Sequence, residues 1–262
     1  MRLEETPRFL KHHLLHKIEI SPPPKESLLA IFDLDGTLLN YSARTKGILE
    51  HLCLQAEGEG SEDLRRIREL PLQGVRYYIE ETLRENGLGD SELFDHFVEG
   101  WKRLFFSDDF LHFDTLVPGA VDFVRELHEL GVTLIYLTGR DSENMFLGTV
   151  GSLYRHGFPI GVERTELLMK PRGEIDNREF KISIFDYLKR RGRVIGFFED
   201  DADLLNLAVG YFPEAILVFV RGGQSPDSAA LESGILTVED FTEIASLAVT
   251  SQSGQSLAEE LK

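Results

Sequence analysis

The sequence predicts an α/β fold, a doubly wound parallel sheet carrying an inserted α-helical domain. Three observations predict it. Apolar runs of five or six residues end abruptly in polar ones, as in LLAIF, VTLIYL, VIGFF and AILVFV. Amphipathic helical patterns separate most of these runs, the alternation expected of parallel strands joined by crossover helices. Between the first run and the second lies a long stretch whose periodicity is helical throughout.

The first run, Leu28 to Phe32, stands between Pro22-Pro23-Pro24 and Asp33-Leu34-Asp35-Gly36-Thr37. Its length, β-branching and flanks predict a buried strand. Two carboxylates at a strand end put charge where burial is costly without a cation or other partners. In an open parallel sheet that place is the crevice beyond the carboxyl ends of the strands, where ligands bind. Gly36 lets the backbone turn sharply away.

Asn40 to Thr45 reads as a linker, and from Lys46 to about Asp109 the pattern is helical. Val75, Tyr78, Ile79, Thr82 and Leu83 share one helix face; Leu93, Phe94, Phe97, Val98, Trp101, Leu104 and Phe105 share another. Gly58-Glu59-Gly60, Pro71 and Gly87-Leu88-Gly89 punctuate the block, giving about four helices and no strand. The aromatic stripe reads as the core of this block. The chain therefore divides into a core of residues 1–44 and 110–262 and a helical domain of 45–109.

After the block, Pro118-Gly119 opens a helix that Gly131 ends. Val132 to Leu137 is a second buried strand and stops at Thr138-Gly139-Arg140. A helix through Met145, Phe146, Val150 and Leu153 stops at Gly157, and Leu167 to Met169 is a weak third strand. Phe180 to Arg190 is helical. Val194 to Phe198 is a fourth strand that runs into Glu199-Asp200-Asp201, and Ala215 to Val220 is a fifth. A helix and a polar end are expected beyond Phe241.

Composition narrows the function. With 28 Lys and Arg against 45 Asp and Glu, the net charge is −17, which disfavours stable contact with nucleic acid or an anionic membrane. The single cysteine, Cys53, cannot form an internal disulfide and sits in a helical pattern as a small apolar residue. His12, His13 and His16 lack a neighbouring ligand pattern and read as part of a solvated helix or tail. No stretch has the length of a membrane span and the N-terminus lacks an apolar signal core, so a soluble cytoplasmic protein is expected.

Polar groups suited to phosphoryl transfer end three of the strands: Asp33 and Asp35, then Thr138, then Glu199, Asp200, Asp201 and Asp203. So many carboxylates in one crevice call for a hard, oxygen-ligated cation, and Mg²⁺ is expected.

The string FDLDGTL resembles the first motif of the haloacid dehalogenase superfamily, mostly phosphatases and other phosphotransferases. LTGR, a downstream lysine and FFEDD fill the remaining motifs in order, so the resemblance runs from about Ser27 to Phe241. It implies a Rossmann-like core and a helical cap of the superfamily's first type. It implies Asp33 as the nucleophile that forms an aspartyl-phosphate, and Asp35 as general acid and base. A carboxylate near Asp35 that raised its pKa would suit that role. Thr138, with Gly139, is implied to hold the phosphate. The metal ligands implied are Asp33, Asp35 through its backbone carbonyl, and Asp200, with Glu199 or Asp201 as auxiliaries.

For the motif lysine the sequence offers Lys181, at a helix start, and Lys170, before Pro171; Lys181 is preferred and Lys170 stays as the alternative. Arg140 reads equally as a substrate or cap contact and as a structural ion pair. The expected function is a Mg²⁺-dependent phosphatase of a small phosphorylated metabolite. A phosphomutase on the same core is the alternative within enzymes, and a non-catalytic phospho-ligand-binding protein the alternative outside them. Arg76, Tyr77, Tyr78, Lys102 and Arg103 are candidate cap contacts.

Overall fold

The computed structural model describes residues 6–21, 28–56, 62–222 and 229–245. The chain runs through α1 (Thr6–Glu19), β1 (Leu28–Phe32) and β2 (Leu39–Asn40) into four helices: α2 (Ser42–Gln55), α3 (Glu62–Arg68), α4 (Ile79–Glu85) and α5 (Phe94–Phe105). It returns through β3 (Thr115–Leu116), α6 (Ala120–Glu129), β4 (Thr133–Asp141), α7 (Phe146–His156), β5 (Thr165–Lys170) and α8 (Asn177–Arg191). The last elements are β6 (Arg193–Glu199), α9 (Ala202–Tyr211), β7 (Ile216–Val220), β8 (Leu236–Val238) and the short α10 (Thr242–Ala245).

Six strands form one sheet in the order β5-β4-β1-β6-β7-β8, and every pairing in it is parallel. A parallel sheet is covered on both faces, so its strands are apolar on both sides. β1 shows why. Leu28, Ala30 and Phe32 pack into one apolar cluster with Phe123, Leu127 and Leu153, while Leu29 and Ile31 pack into another with Phe185, Leu188 and Leu205. That is the two-residue alternation of a strand. Each large side chain so buried contributes roughly 1.5–3 kcal/mol. Because β1 lies between β4 and β6, the C-terminal ends of the three strands come side by side.

The block after β1 folds as helices, with an apolar cluster of its own that includes Ile48, Leu52, Ile67, Leu83, Phe97 and Trp101. At its neck β2 and β3 pair antiparallel, Leu39 with Leu116 and Asn40 with Thr115. Two-residue strands carry no periodicity, and the stretch from Asn40 to Thr45 expected as a linker instead ends β2 and, from Ser42, begins α2. Tyr78 also departs from its expected helix face. It precedes α4 with an extended backbone (φ −91°, ψ 129°), which turns it away from the stripe of Ile79, Thr82 and Leu83.

Three further differences matter. α1 is not a solvated helix: Leu10, Leu14 and Ile18 are buried in the core and Lys11 pairs with Glu126 at 2.8 Å. Spacings of four between these residues put them on one stripe, which the surrounding histidines and lysines mask. β4 continues past its apolar run to Asp141, through an irregularity after Thr138. β8 and α9 extend the sheet and its helical cover beyond the elements foreseen. The Pro22-Pro23-Pro24 and Gly58-Glu59-Gly60 segments, and the tail beyond Ala245, lie outside the described residues. Among the described residues no helix is long and apolar enough to cross a membrane.

Candidate active site

The end of β1 is still held by the sheet at Asp33, whose N–H donates to the Phe198 carbonyl on β6 at 3.0 Å. The chain then turns: Gly36 adopts φ +86°, a left-handed value that favours glycine, and its N–H donates to the Leu39 carbonyl at 2.8 Å. This turn leaves Asp33 and Asp35 at one mouth but sends them into different surroundings.

Asp33 is buried among Lys181, Glu199 and Asp200. The Lys181 ammonium, from the second turn of α8, donates to Asp33 Oδ1 and to Glu199 Oε2, each at 2.7 Å. Carboxylate oxygens of Asp33, Glu199 and Asp200 all lie within 4.8 Å of one another. One ammonium thus faces three carboxylates. Burial and the neighbouring Glu199 charge raise the Asp33 carboxyl to about 7, against the pull of Lys181. Burial, then Asp33 and Glu199, raise Asp200 well above the ordinary carboxylate value. Burial works against the charge on Lys181, but Asp33 and Glu199 outweigh it and hold its pKa above that of an ordinary lysine. Crowded oxygen donors whose repulsion a positive charge would relieve fit a hard divalent cation.

Asp35 has the opposite neighbourhood. Arg140 on β4 donates to both of its oxygens at 2.7 Å, and Arg44 on α2 donates to Oδ1 as well. Both guanidinium groups also reach the buried Asp114, from Arg44 Nε to Oδ1 at 2.9 Å and from Arg140 to Oδ2 at 2.7 Å. Two arginines and two aspartates form a balanced quartet. Burial would raise the Asp35 carboxyl, but Arg140 and Arg44 hold it well below the usual range. The arginines hold it down rather than raise it to suit a proton donor. Arg140 is therefore an ion-pair residue here.

The other expected residues divide clearly. Thr138 is buried at the end of the β4 apolar run, and its Oγ1 accepts from the Arg140 N–H at 3.2 Å. A Cβ at Gly139 would lie 2.7 Å from the Asn177 side chain at the start of α8, which would have to shift to admit it. Lys170 points elsewhere, donating to the Gly173 and Ile175 carbonyls at 3.1 and 2.8 Å. Asp201 accepts from the Leu204 N–H as the cap of α9 and pairs with Arg178 at 3.1 Å, which leaves its carboxylate outside the acidic group. Glu199 Oε1 accepts from the Asp200 and Asp201 N–H groups, both at 3.2 Å, so its other oxygen is the one shared with Lys181.

A cavity of about 600 Å³ opens over these residues. Asp33, Asp35, Thr138, Gly139, Lys181 and Asp200 line its floor, while Tyr41, Tyr77, Tyr78, Trp101, Phe105 and Phe106 face it from the helical block and its neck. Of the candidate cap contacts, Tyr77, Tyr78 and Lys102 reach it. Arg76 pairs with Glu85 at 2.6 Å, and Arg103 is exposed outside the lining. Sequence reasoning missed Arg44, which it placed in a linker, and Asp114, which lies where the helical pattern ends. It placed Trp101 and Phe105 in the core of the block, where they also pack, stacked with centroids 4.3 Å apart.

Comparison with known proteins follows the same lines. No curated protein matches the chain. A candidate haloacid dehalogenase-like hydrolase of Burkholderia xenovorans LB400 is 16% identical and superposes with a TM-score of 0.51, over 85% of this chain and 99% of that one. Protein Tyrosine Kinase A of Mycobacterium tuberculosis is 17% identical with a TM-score of 0.50, over 84% of this chain and 97% of that one. At these identities the likeness is one of fold. The family model of haloacid dehalogenase-like hydrolases matches residues 28–202. The chain therefore belongs to the haloacid dehalogenase-like hydrolase family.

Proposed function

We propose that this protein is a Mg²⁺-dependent phosphatase of a small phosphorylated metabolite in the cytoplasm, working through an aspartyl-phosphate on Asp33. The observation that carries the reading is the Asp33 carboxylate at the cavity floor, 2.7 Å from a buried ammonium and crowded by Glu199 and Asp200. Asp33, Asp200 and the Asp35 backbone carbonyl would hold the ion, with Glu199 as auxiliary. Bound there, Mg²⁺ neutralises the acids and the phosphate oxygens.

In the first step an Asp33 oxygen bonds to phosphorus as the bond from phosphorus to the leaving oxygen breaks, and that oxygen takes its proton from solvent water. In the second, water attacks the phosphorus, the bond to Asp33 breaks, and phosphate leaves with the carboxylate restored. Lys181 offsets the charge on Asp33 and the transferring group, while Thr138 and the Gly139 backbone hold its oxygens. Asp35 enters as an anion, takes the proton of the attacking water and passes it to solvent as the site resets. Its guanidinium clamp must loosen before it can donate to a leaving oxygen, so Arg44 and Arg140 limit how basic a leaving group the site expels.

Residues 45–109 serve as the cap in this reading. Their separate apolar cluster supports it, as do the β2–β3 neck and the tyrosines they present to the cavity.

The test is acid quenching of turnover with acetyl phosphate and Mg²⁺, followed by peptide mapping. Phosphate on the peptide containing Asp33, lost in Asp33→Asn, is the expected result. Steady phosphate release with the label on another residue, or with none, overturns the assignment. Release to water rather than return to substrate also separates a phosphatase from a phosphomutase.

A further inference from the structure

The walls of the cavity differ in kind from its floor. Six aromatic rings face it from Tyr41, Tyr77, Tyr78, Trp101, Phe105 and Phe106. Tyr77, Tyr78 and Phe106 are the most open, at 44%, 38% and 47% exposure, although each carries a large apolar face. Trp101 and Phe105 are nearly buried and stacked beside Phe106, whose ring centre lies 5.1 Å from that of Phe105. The Trp101 N–H is already engaged with the Thr45 hydroxyl at 3.2 Å. Three exposed aromatic residues line one space, the Tyr77 and Tyr78 rings edge to face with centres 5.0 Å apart, so a flat ring entering it can pack on one face and against another's edge.

Charge argues the same way. Four basic side chains line the cavity, and each has a carboxylate partner: Lys102 with Glu80 at 2.7 Å, Arg178 with Asp201, Lys181 with Asp33 and Glu199, and Arg140 with Asp35 and Asp114. A second phosphate or a carboxylate on the substrate would have to break one of these pairs. A polyhydroxylated sugar would meet rings where it needs an array of donors and acceptors.

Resting on the phosphatase reading above, the geometry points to a phosphomonoester whose organic part is a flat, uncharged aromatic ring system. The ring lies among Tyr77, Tyr78 and Phe106 while its single phosphate reaches Asp33. The shared chemistry is the π face, and its source is either an aryl or benzyl group or a nucleobase.

The experiment uses pairs of substrates matched at the leaving oxygen. Benzyl phosphate is compared with cyclohexylmethyl phosphate, and a nucleoside 5′-monophosphate with ribose 5-phosphate, each with Mg²⁺. The expected result is a kcat/KM about tenfold or more higher for the aromatic member of at least one pair, the size one stacked ring supplies. The pair that shows it names the source of the ring. Phe106→Ala should cut the ratio of benzyl phosphate to acetyl phosphate turnover, or of the nucleotide to acetyl phosphate, by about the same factor. Equal values within both pairs overturn the inference.

A binding arm separates this claim from catalysis. Trp101 is the only tryptophan, and it lines the same cavity. Its fluorescence should therefore report benzylphosphonate, or a nucleoside 5′-phosphonate, at lower concentration than cyclohexylmethylphosphonate or methylphosphonate. Such binding without turnover of acetyl phosphate would sink the phosphatase reading and leave the aromatic site standing. Turnover of acetyl phosphate with no ring preference in rate or binding would do the reverse.

Discussion

Asp33 and Asp35 are two residues apart, on one turn and at one cavity, yet they sit in opposite electrostatic regions. Around Asp33 three carboxylates share one ammonium, and the carboxyl rises to about 7. Around Asp35 two carboxylates share two guanidinium groups, and the carboxyl falls below its usual range. The first region is short of positive charge and suits a cation and a phosphate in contact with it. The second is complete in itself. Strain from unmet charge collects where chemistry is expected, while the neighbour that positions it is neutralised in advance.

Breaking the Asp33 side should have the largest effect on rate. Asp33→Asn is expected to lower kcat by about a thousandfold or more, since the amide is no nucleophile. Phosphate release under saturating Mg²⁺ measures it, and retention of more than a tenth of the rate would remove Asp33 from its role. Lys181→Met should follow, with a loss of about a hundredfold or more in kcat/KM. It also strips the buried Asp33 and Glu199 of their shared partner, so thermal stability should fall too. Lys170→Met breaks two carbonyl contacts away from the cavity and should leave kcat within about threefold. Comparable rate losses in the two variants would undo the distinction between the lysines.

Breaking the Asp35 side should show first in stability. Asp35→Asn leaves two buried guanidinium groups facing Asp114 alone, which should cost about 3–5 kcal/mol in urea unfolding. The sign with pH follows from its lowered carboxyl. The stability Asp35 contributes is fully present above its unfolded pKa of 3.8 and is lost only as pH falls through the still lower folded value. Wild type and Asp35→Asn should therefore differ by a constant amount from pH 5 to 8 and converge in strong acid.

The smallest expected effect sharpens the comparison most. Asp200→Asn removes one of the crowded charges, so the metal-free variant should melt above wild type at pH 8. A gain of 1 kcal/mol corresponds to about 2–4 °C. The Asp200 carboxyl is raised in the fold, so its penalty is present above the folded pKa and vanishes as pH falls toward the ordinary 3.8. The gain should fade over that range, opposite in sense to Asp35→Asn. Added Mg²⁺ should raise the melting temperature of wild type more than that of Asp200→Asn. A variant less stable than metal-free wild type at pH 8 would mean that Asp200 is not under repulsion.

Much of the sheet and its mouth was legible because buried parallel strands leave a plain trace. LLAIF, VTLIYL, VIGFF and AILVFV each lie in a strand, and their polar ends meet because β1 neighbours both β4 and β6. Asp33, Asp35, Thr138 and Asp200 stand where apolar runs end, and the family resemblance offered Lys181 with Lys170 as its alternative. The environment of Asp35 could not be read this way. It depends on Arg44, nine positions along, and on Asp114, which is far off in sequence and reaches the same point only when β3 returns beside β2. Nor does a stripe such as Trp101 and Phe105 say that its outer edge faces a cavity. Periodicity shows which side is apolar, not what lies against it.

Arg44 has one more consequence. It stands in the first turn of α2, the helix that runs from the neck into the block, its guanidinium lies 4.0 Å from the centre of the Phe105 ring, and its charge is spent on Asp35 and Asp114 outside the block. The inserted block is therefore not a freely exchangeable module. A chimaera that replaced it, the whole of α2 included, with a different set of helices would bring new walls to the cavity but would leave two aspartates with a single arginine between them. Any such graft has to carry an arginine at this position of α2, or change Asp114 as well.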